Sequence, residues 1–310
     1  MVAGATPLRP GDALRRFRGR LTRRVRAAQA VVPLEQVVIG VGAQKSGTTW
    51  LAKVLERHPE IYLRGKEAHY WDVVRYPFTG WDTFTNAMGA PDRARTPFGR
   101  SPMDHSGYLP FLEFGRSEKR VVADITPAYA LCTAETFREM RDVHDNVKFV
   151  FLMRDPVERL WSGIRHKLRA VLDRDPGFDG VEALFAQAIA NPLDPDLGRS
   201  RYDRTLASME AAGCNLHVAF YEHLFSDAAL ASLADFLEVD GLEGDYDRIE
   251  YAGARHKAML GADLRARARE ALAETYDYVF DRFGDAVPDQ WRRGQDARTA
   301  RPGAQAEVMH

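Results

Sequence analysis

Cysteine is nearly absent from this chain. Its 310 residues include two, Cys132 and Cys214. That is too few for a disulfide framework, and the usage fits a reducing, cytoplasmic setting. No apolar run reaches the length of a membrane span, and no apolar signal segment opens the sequence. Internal repeats are missing too, and no nucleic-acid partner is expected. What is present, 45% hydrophobic and 28% charged residues, describes a soluble globular chain. Its length suffices for one large α/β domain or for two small ones.

The net charge of −1 conceals an uneven distribution, because residues 9–26 carry eight arginines and one acid, Asp12. Residues 1–35 therefore read as a basic helical lead-in. It either packs on the domain edge or touches a membrane surface or an acidic partner. Residues 36–291 form the expected domain, and 292–310 a polar tail rich in Gly, Ala and Arg. Apolar β-type runs lie at 37–41, 61–63, 120–124, 147–153 and 216–221. Several lack strict alternation, as strands buried on both faces do. Helical patterns fall between and after them at 48–57, 134–143, 156–170, 181–190, 202–212, 228–237 and 262–280. The succession predicts an α/β, three-layer sandwich: a central, mostly parallel sheet flanked by helices, with ligands beyond the carboxyl ends of the strands. Residues 76–118 show proline, glycine and aromatics without periodicity. They read as an insertion suited to substrate binding.

A further absence frames the function. In "GAQKSGTTW" (42–50) two glycines stand at P-loop spacing between a strand and a helix, yet Gly47 is followed by Thr48 rather than by a lysine. The lysine, Lys45, sits inside the loop. Gly42 and Gly47 let successive N–H groups converge on an anion, and the helix from Thr48 adds its positive end. Ser46 belongs to the same loop. Thr48 and Thr49 are placed to cap the helix and to donate hydroxyl protons. Lys45 is placed to neutralise charge developing on a leaving group.

A second element, "FLMRDPVERLWSGIRH" (151–166), ends a buried strand at Arg154, then offers Asp155 as N-cap and Pro156 as first helical residue. Ser162 follows one turn beyond Glu158. Arg154 and Ser162 either grip a second phosphate, or Arg154 joins a structural ion pair.

Together, "QKSGTTWL" and "RDPVERLWSG" resemble the sulfotransferases that use 3′-phosphoadenosine 5′-phosphosulfate as donor. The resemblance runs from about Val37 to Trp291 and suggests a bacterial-type relative. "KEAHYWD" (66–72) with "GW" (80–81), and "DITPAYA" (124–130), are similar to stretches of the heparan sulfate branch. "YEHL" (221–224), "FLEVD" (236–240) and "GARHKA" (253–258) are similar to later family segments. The resemblance implies donor binding by Lys45, Ser46, Gly47, Thr48 and Thr49. It also implies that Trp50 stacks on adenine, that Arg154 and Ser162 hold the 3′-phosphate, and that Arg255 closes over it. No metal is implied, since a sulfuryl group carries less charge than a terminal phosphoryl. Tyr202, in "SRYDRTL", stands near the adenine or in the core. Product is 3′,5′-bisphosphoadenosine.

Glu67 matches the branch's general base. Flanked by an apolar strand and Tyr70–Trp71, it is expected to be partly desolvated, with its pKa raised towards neutrality. His69 is either a second base or orients the acceptor. Trp71, Trp81 and Tyr129 are candidates to line the cleft of a glycan or small-molecule acceptor. Two departures stand out: Ile125 replaces a branch lysine, and Thr49 replaces a branch arginine. Loss of that lysine argues against a highly sulfated glycan. The alternatives are a nucleotide kinase with a divergent loop, which needs a lysine after Gly47, and a nucleotide-binding protein without chemistry.

Overall fold

The computed structural model describes residues 32–75, 105, 107–172, 178–246 and 260–292. The arginine-rich lead-in, except for its last four residues, and nearly all of the polar tail lie outside that set. Five strands, β1 (Gln36–Gly42), β2 (Ile61–Leu63), β3 (Val121–Ile125), β4 (Val147–Met153) and β5 (Asn215–Phe220), form one sheet in the order β2-β3-β1-β4-β5. All four neighbour pairings are parallel. β1, β3 and β4 are buried along their whole length, which is why their sequences lack polar alternation.

Alternate residues of each strand enter opposite layers, as the two-residue period of a strand requires. Val37, Ile39, Val41, Phe149 and Phe151 pack into one core. Val38, Val121, Ala123, Ile125, Val150 and Leu152 pack into the other. The second core is completed by α1 (Thr48–Arg57), through Trp50, Leu51, Val54 and Leu55, and by α8 (Asp227–Leu237), through Leu230, Leu233 and Leu237. The first is completed by α2 (Tyr70–Arg75), α3 (Tyr108–Glu113), α4 (Ala134–Arg141), α5 (Pro156–Leu172), α6 (Phe178–Ala190), α7 (Tyr202–Ala211), α9 (Ala262–Ala271) and α10 (Ala273–Phe283). Helix, sheet, helix is the expected sandwich.

Several elements depart from expectation, among them α2, which no helical pattern announced. The pattern at 262–280 is two helices, because Leu272 leaves helical geometry (φ −109°, ψ 15°) while burying its side chain completely. Within the aperiodic stretch 76–118, α3 forms and buries Tyr108 in the core. After β3, residues Pro127–Leu131 make a 3₁₀ turn, beginning where Pro127 supplies its fixed φ.

Candidate active site

The carboxyl ends of β1 and β4 carry side by side the two elements expected from the sequence to bind anions. The loop after β1 turns at Gly47, whose φ of 92° falls in the left-handed region. A Cβ there would lie 2.7 Å from the Leu224 side chain, so glycine is required for shape and for space. Gly47 is also the N-cap of α1 and leaves the cap without a side-chain bond. The expected capping by Thr48 or Thr49 is thereby corrected: both lie inside the helix, Thr48 buried and Thr49 half-buried. Lys45 is left-handed as well, at φ 72°. The Ser46 hydroxyl is fully buried and meets no hydrogen-bond partner among the described residues. An orphaned buried hydroxyl in a loop of this shape is what an anion seat offers.

Arg154 follows β4 and reaches across to the loop. Its Nη1 donates to the Lys45 carbonyl at 3.3 Å, and its guanidinium lies 4.8 Å from the ring centroid of Tyr221. Neither contact neutralises it. Tyr202 is completely buried, and its hydroxyl donates to the Arg154 carbonyl at 2.8 Å. Of the two places open to Tyr202, the structure chooses the core, from which it fixes the backbone of Arg154. Asp155 caps α5 as expected, accepting from Val157 N (3.1 Å) and Glu158 N (3.0 Å), and Tyr276 donates to its other oxygen at 2.9 Å. Ser162 is half-buried on α5, two turns in. A cavity of about 660 Å³ shares Arg154 and Tyr221 with this site and is also lined by Arg265 and Arg269 of α9. Arg265 pairs there with Glu158 at 2.7 Å.

Positive charge accumulates around the loop. Burial, then the charges of Arg154, Lys66, Arg169 and Arg159, push Lys45 down to about 8. Burial and the charges of Lys45, Arg169 and Lys66 likewise push His166 down to about 4. A nearby anion would reverse both effects.

Near these cations stands a carboxylate–imidazole–carboxylate chain. His69 Nε2 lies 3.0 Å from Glu67 Oε2, and its Nδ1 lies 2.9 Å from Asp72 Oδ2. Lys66 Nζ holds Glu67 Oε1 at 2.6 Å. Burial disfavours the charged imidazole, but the bonds to Asp72 and Glu67 outweigh it and raise His69 to about 10. Burial would also raise Glu67, yet its bonds to His69 and Lys66 bring it down to about 2. One expectation is corrected here. Glu67 is not raised towards neutrality, because two cations grip it. Of the two roles open to His69, the carboxylates facing both its ring nitrogens favour orientation over that of a second base.

Two acceptor-cleft candidates are corrected as well. Trp71 and Tyr129 have no exposed surface. Trp71 packs on Tyr70 and Tyr108, and Tyr129 donates to the buried Asp124 at 2.9 Å. Trp81 and Arg255 lie outside the described residues. Trp50 is buried, stacked on Tyr246 with its centroid 6.1 Å away, and donates to the Asp245 carbonyl at 3.0 Å.

A model of the sulfotransferase family matches residues 37–240. The chain belongs to the sulfotransferase family. No curated protein matches it by sequence. Among solved structures, a sulfotransferase from Alicyclobacillus acidocaldarius superposes with a TM-score of 0.61 at 21% identity, covering 85% of this chain and 100% of that one. It shares the fold. The sulfotransferase domain of the Synechococcus PCC 7002 olefin synthase aligns at 17% identity over 80% of this chain and 96% of that one, with a TM-score of 0.44. Mouse sulfotransferase SULT7A1, solved with PAP, aligns at 14% identity over 90% and 95%, with a TM-score of 0.40.

In this sulfotransferase, sequence reasoning missed Lys66, Asp72 and Tyr221. Asp72 carried a signal, since it lies three residues after His69, but helical spacing there was legible only once α2 was known. Tyr221 opened the family-like segment "YEHL", but nothing local tied it to Arg154, 67 positions away in the chain.

Proposed function

We propose that the protein transfers a sulfuryl group from 3′-phosphoadenosine 5′-phosphosulfate to a hydroxyl of a carbohydrate or other small-molecule acceptor. The observation that carries this reading is the contact of Arg154 with the Lys45 backbone inside a cluster of cations that depresses Lys45. Two adjoining anion seats on one sheet edge suit a nucleotide phosphorylated at both ends of its ribose. Ser46, Gly47, Thr48 and Thr49 surround the 5′ seat. Arg154 and Ser162 form the 3′ seat. Trp50, buried against Tyr246, offers adenine no open face as it stands, whereas the Tyr221 ring lies beside Gly47 and Arg154.

The acceptor hydroxyl oxygen attacks sulfur. The bond between sulfur and the bridging oxygen breaks, and the electron pair leaves with 3′,5′-bisphosphoadenosine. Lys45 faces that oxygen as its charge develops. The acceptor proton goes to Glu67. A carboxylate held at about 2 is a weak base, so it takes the proton late, after bonding to sulfur has made the hydroxyl strongly acidic. Each Glu67 oxygen spends one lone pair on a cation and keeps another for the acceptor.

Thermal melting with 3′,5′-bisphosphoadenosine, ATP and ADP, followed by transfer of labelled sulfate to sugar, phenol and lipid acceptors, tests the reading. The bisphosphate is expected to stabilise most. Stronger stabilisation by ATP, or transfer to none of the acceptors, overturns it.

A further inference from the structure

Three consecutive backbone amides beside Glu67 are held by side-chain hydroxyls. Ala68 N donates to Thr126 Oγ1 at 3.0 Å, His69 N to the same oxygen at 3.5 Å, and Tyr70 N to the Tyr129 hydroxyl at 3.1 Å. Both hydroxyls pass their own hydrogens to one carboxylate. Thr126 donates to Asp124 Oδ1 at 2.6 Å and Tyr129 to Oδ2 at 2.9 Å, while Tyr108 adds a third donor at 2.8 Å. Ala68 N also approaches Oδ1, at 3.4 Å. Asp124 is 1% exposed, and the three hydroxyl-bearing residues are fully buried.

We propose that Asp124 is a positioning residue, which fixes through Thr126 and Tyr129 the backbone that carries Glu67 and His69. This rests on the reading of Glu67 as proton acceptor. Four donors converge on Asp124, the number its ionised oxygens can take. A protonated carboxyl would need one of those hydroxyls to accept instead, and would break the chain of bonds to the loop. Burial works in the other direction and raises the carboxyl above its ordinary value, while the bonds from Thr126, Tyr108, Tyr129 and Ala68 N oppose that rise.

The arrangement answers a need. His69 has a φ of 52°, a conformation that a residue with a side chain holds only when its surroundings determine it. Three anchored amides in succession do so. They fix where the imidazole bridges Glu67 and Asp72. Thr126 N also donates to the Gly40 carbonyl at 2.9 Å, two residues before the phosphate loop. One cluster therefore sets the base against the donor seat. Asp124 does all this while almost wholly buried.

The test uses the full chain with Thr126→Val, which removes the shared hydroxyl, and Thr126→Ser, which keeps it. Turnover by Thr126→Val is expected to fall about 100-fold, the scale of a small misplacement of catalytic groups. Donor KM and bisphosphoadenosine affinity should stay within about twofold, since the anion seats are untouched. The His69 ring, which its carboxylates hold above the ordinary histidine value, should titrate lower in the variant than in wild type when followed by NMR. Thr126→Ser should recover both turnover and titration. The proposal is overturned if Thr126→Val melts lower yet its His69 titrates as in wild type, if donor affinity falls in step with turnover, or if serine fails to rescue. Should Thr126→Val not fold, Tyr108→Phe, which removes one donor to Asp124 and touches no loop amide, must move the His69 midpoint in the same direction. If the wild-type protein transfers no sulfuryl group at all, the reading of the site falls while the His69 titration still decides the positioning.

Discussion

Burial and then neighbouring cations lower Lys45, whereas neighbouring carboxylates raise His69 against burial, and each gives a pH signature. At about 8, Lys45 in the free protein loses its proton just above neutrality. kcat/KM for the donor, which reports the free enzyme, should decline above pH 8. kcat should decline at higher pH, because the bound anion restores the lysine. Lys45→Arg should move the kcat/KM limb upward, since arginine stays charged. His69, raised from 6.5 to about 10, contributes stability that is complete below pH 6.5 and lost as pH rises through 10. Glu67, lowered from 4.5 to about 2, contributes stability present above pH 4.5 and lost as pH falls through 2. Chemical denaturation across pH should show both slopes, and His69→Gln should flatten them. Glu67→Gln should cut turnover by about 10² or more, the scale for a general base, with bisphosphoadenosine affinity little changed. A variant that turns over like wild type would remove Glu67 from its role. The sequence named Glu67 and His69 but gave the wrong direction for Glu67. Desolvation was legible from the apolar flanks, whereas the grip of Lys66 and His69 depends on a left-handed turn that no local pattern encodes.

At the scale of elements, the strands and the helices around the loops were legible because their signals are local. A buried run of β-branched residues and a glycine turn mark β1 and the loop, and Asp155–Pro156 marks the start of α5. What escaped was decided by distant partners. Trp71 and Tyr129 look like cleft residues in isolation, but α3, formed within an aperiodic stretch, supplies the Tyr108 that encloses them. Glycine chemistry at the loop yields a prediction. Gly47→Ala places a Cβ 2.7 Å from Leu224 at a φ of 92°. It should destabilise the fold by about 1–3 kcal/mol and weaken bisphosphoadenosine binding, read by melting and by calorimetry. Tyr202→Phe removes one bond to the Arg154 carbonyl and should cost about 1 kcal/mol of stability, with loss of donor affinity beside it.

Across the whole molecule, the two cores share one sheet, and the proposed anion seats lie where the strands of its centre end. Donor binding should therefore stabilise the entire domain rather than a loop. Bisphosphoadenosine at 100 times its dissociation constant should add about 2.7 kcal/mol to unfolding, seen as one cooperative transition moved to higher temperature. Because the seats are built from cations, donor affinity should weaken as salt rises. Arg154 is tethered to the main-chain oxygen of Lys45, not to its ammonium. The side chain at 45 can thus change identity while the loop and the strand-end arginine stay docked. Electrostatic strength and mechanical alignment are written on separate atoms of one residue, which leaves room for relatives of this protein to retune the first without rebuilding the second.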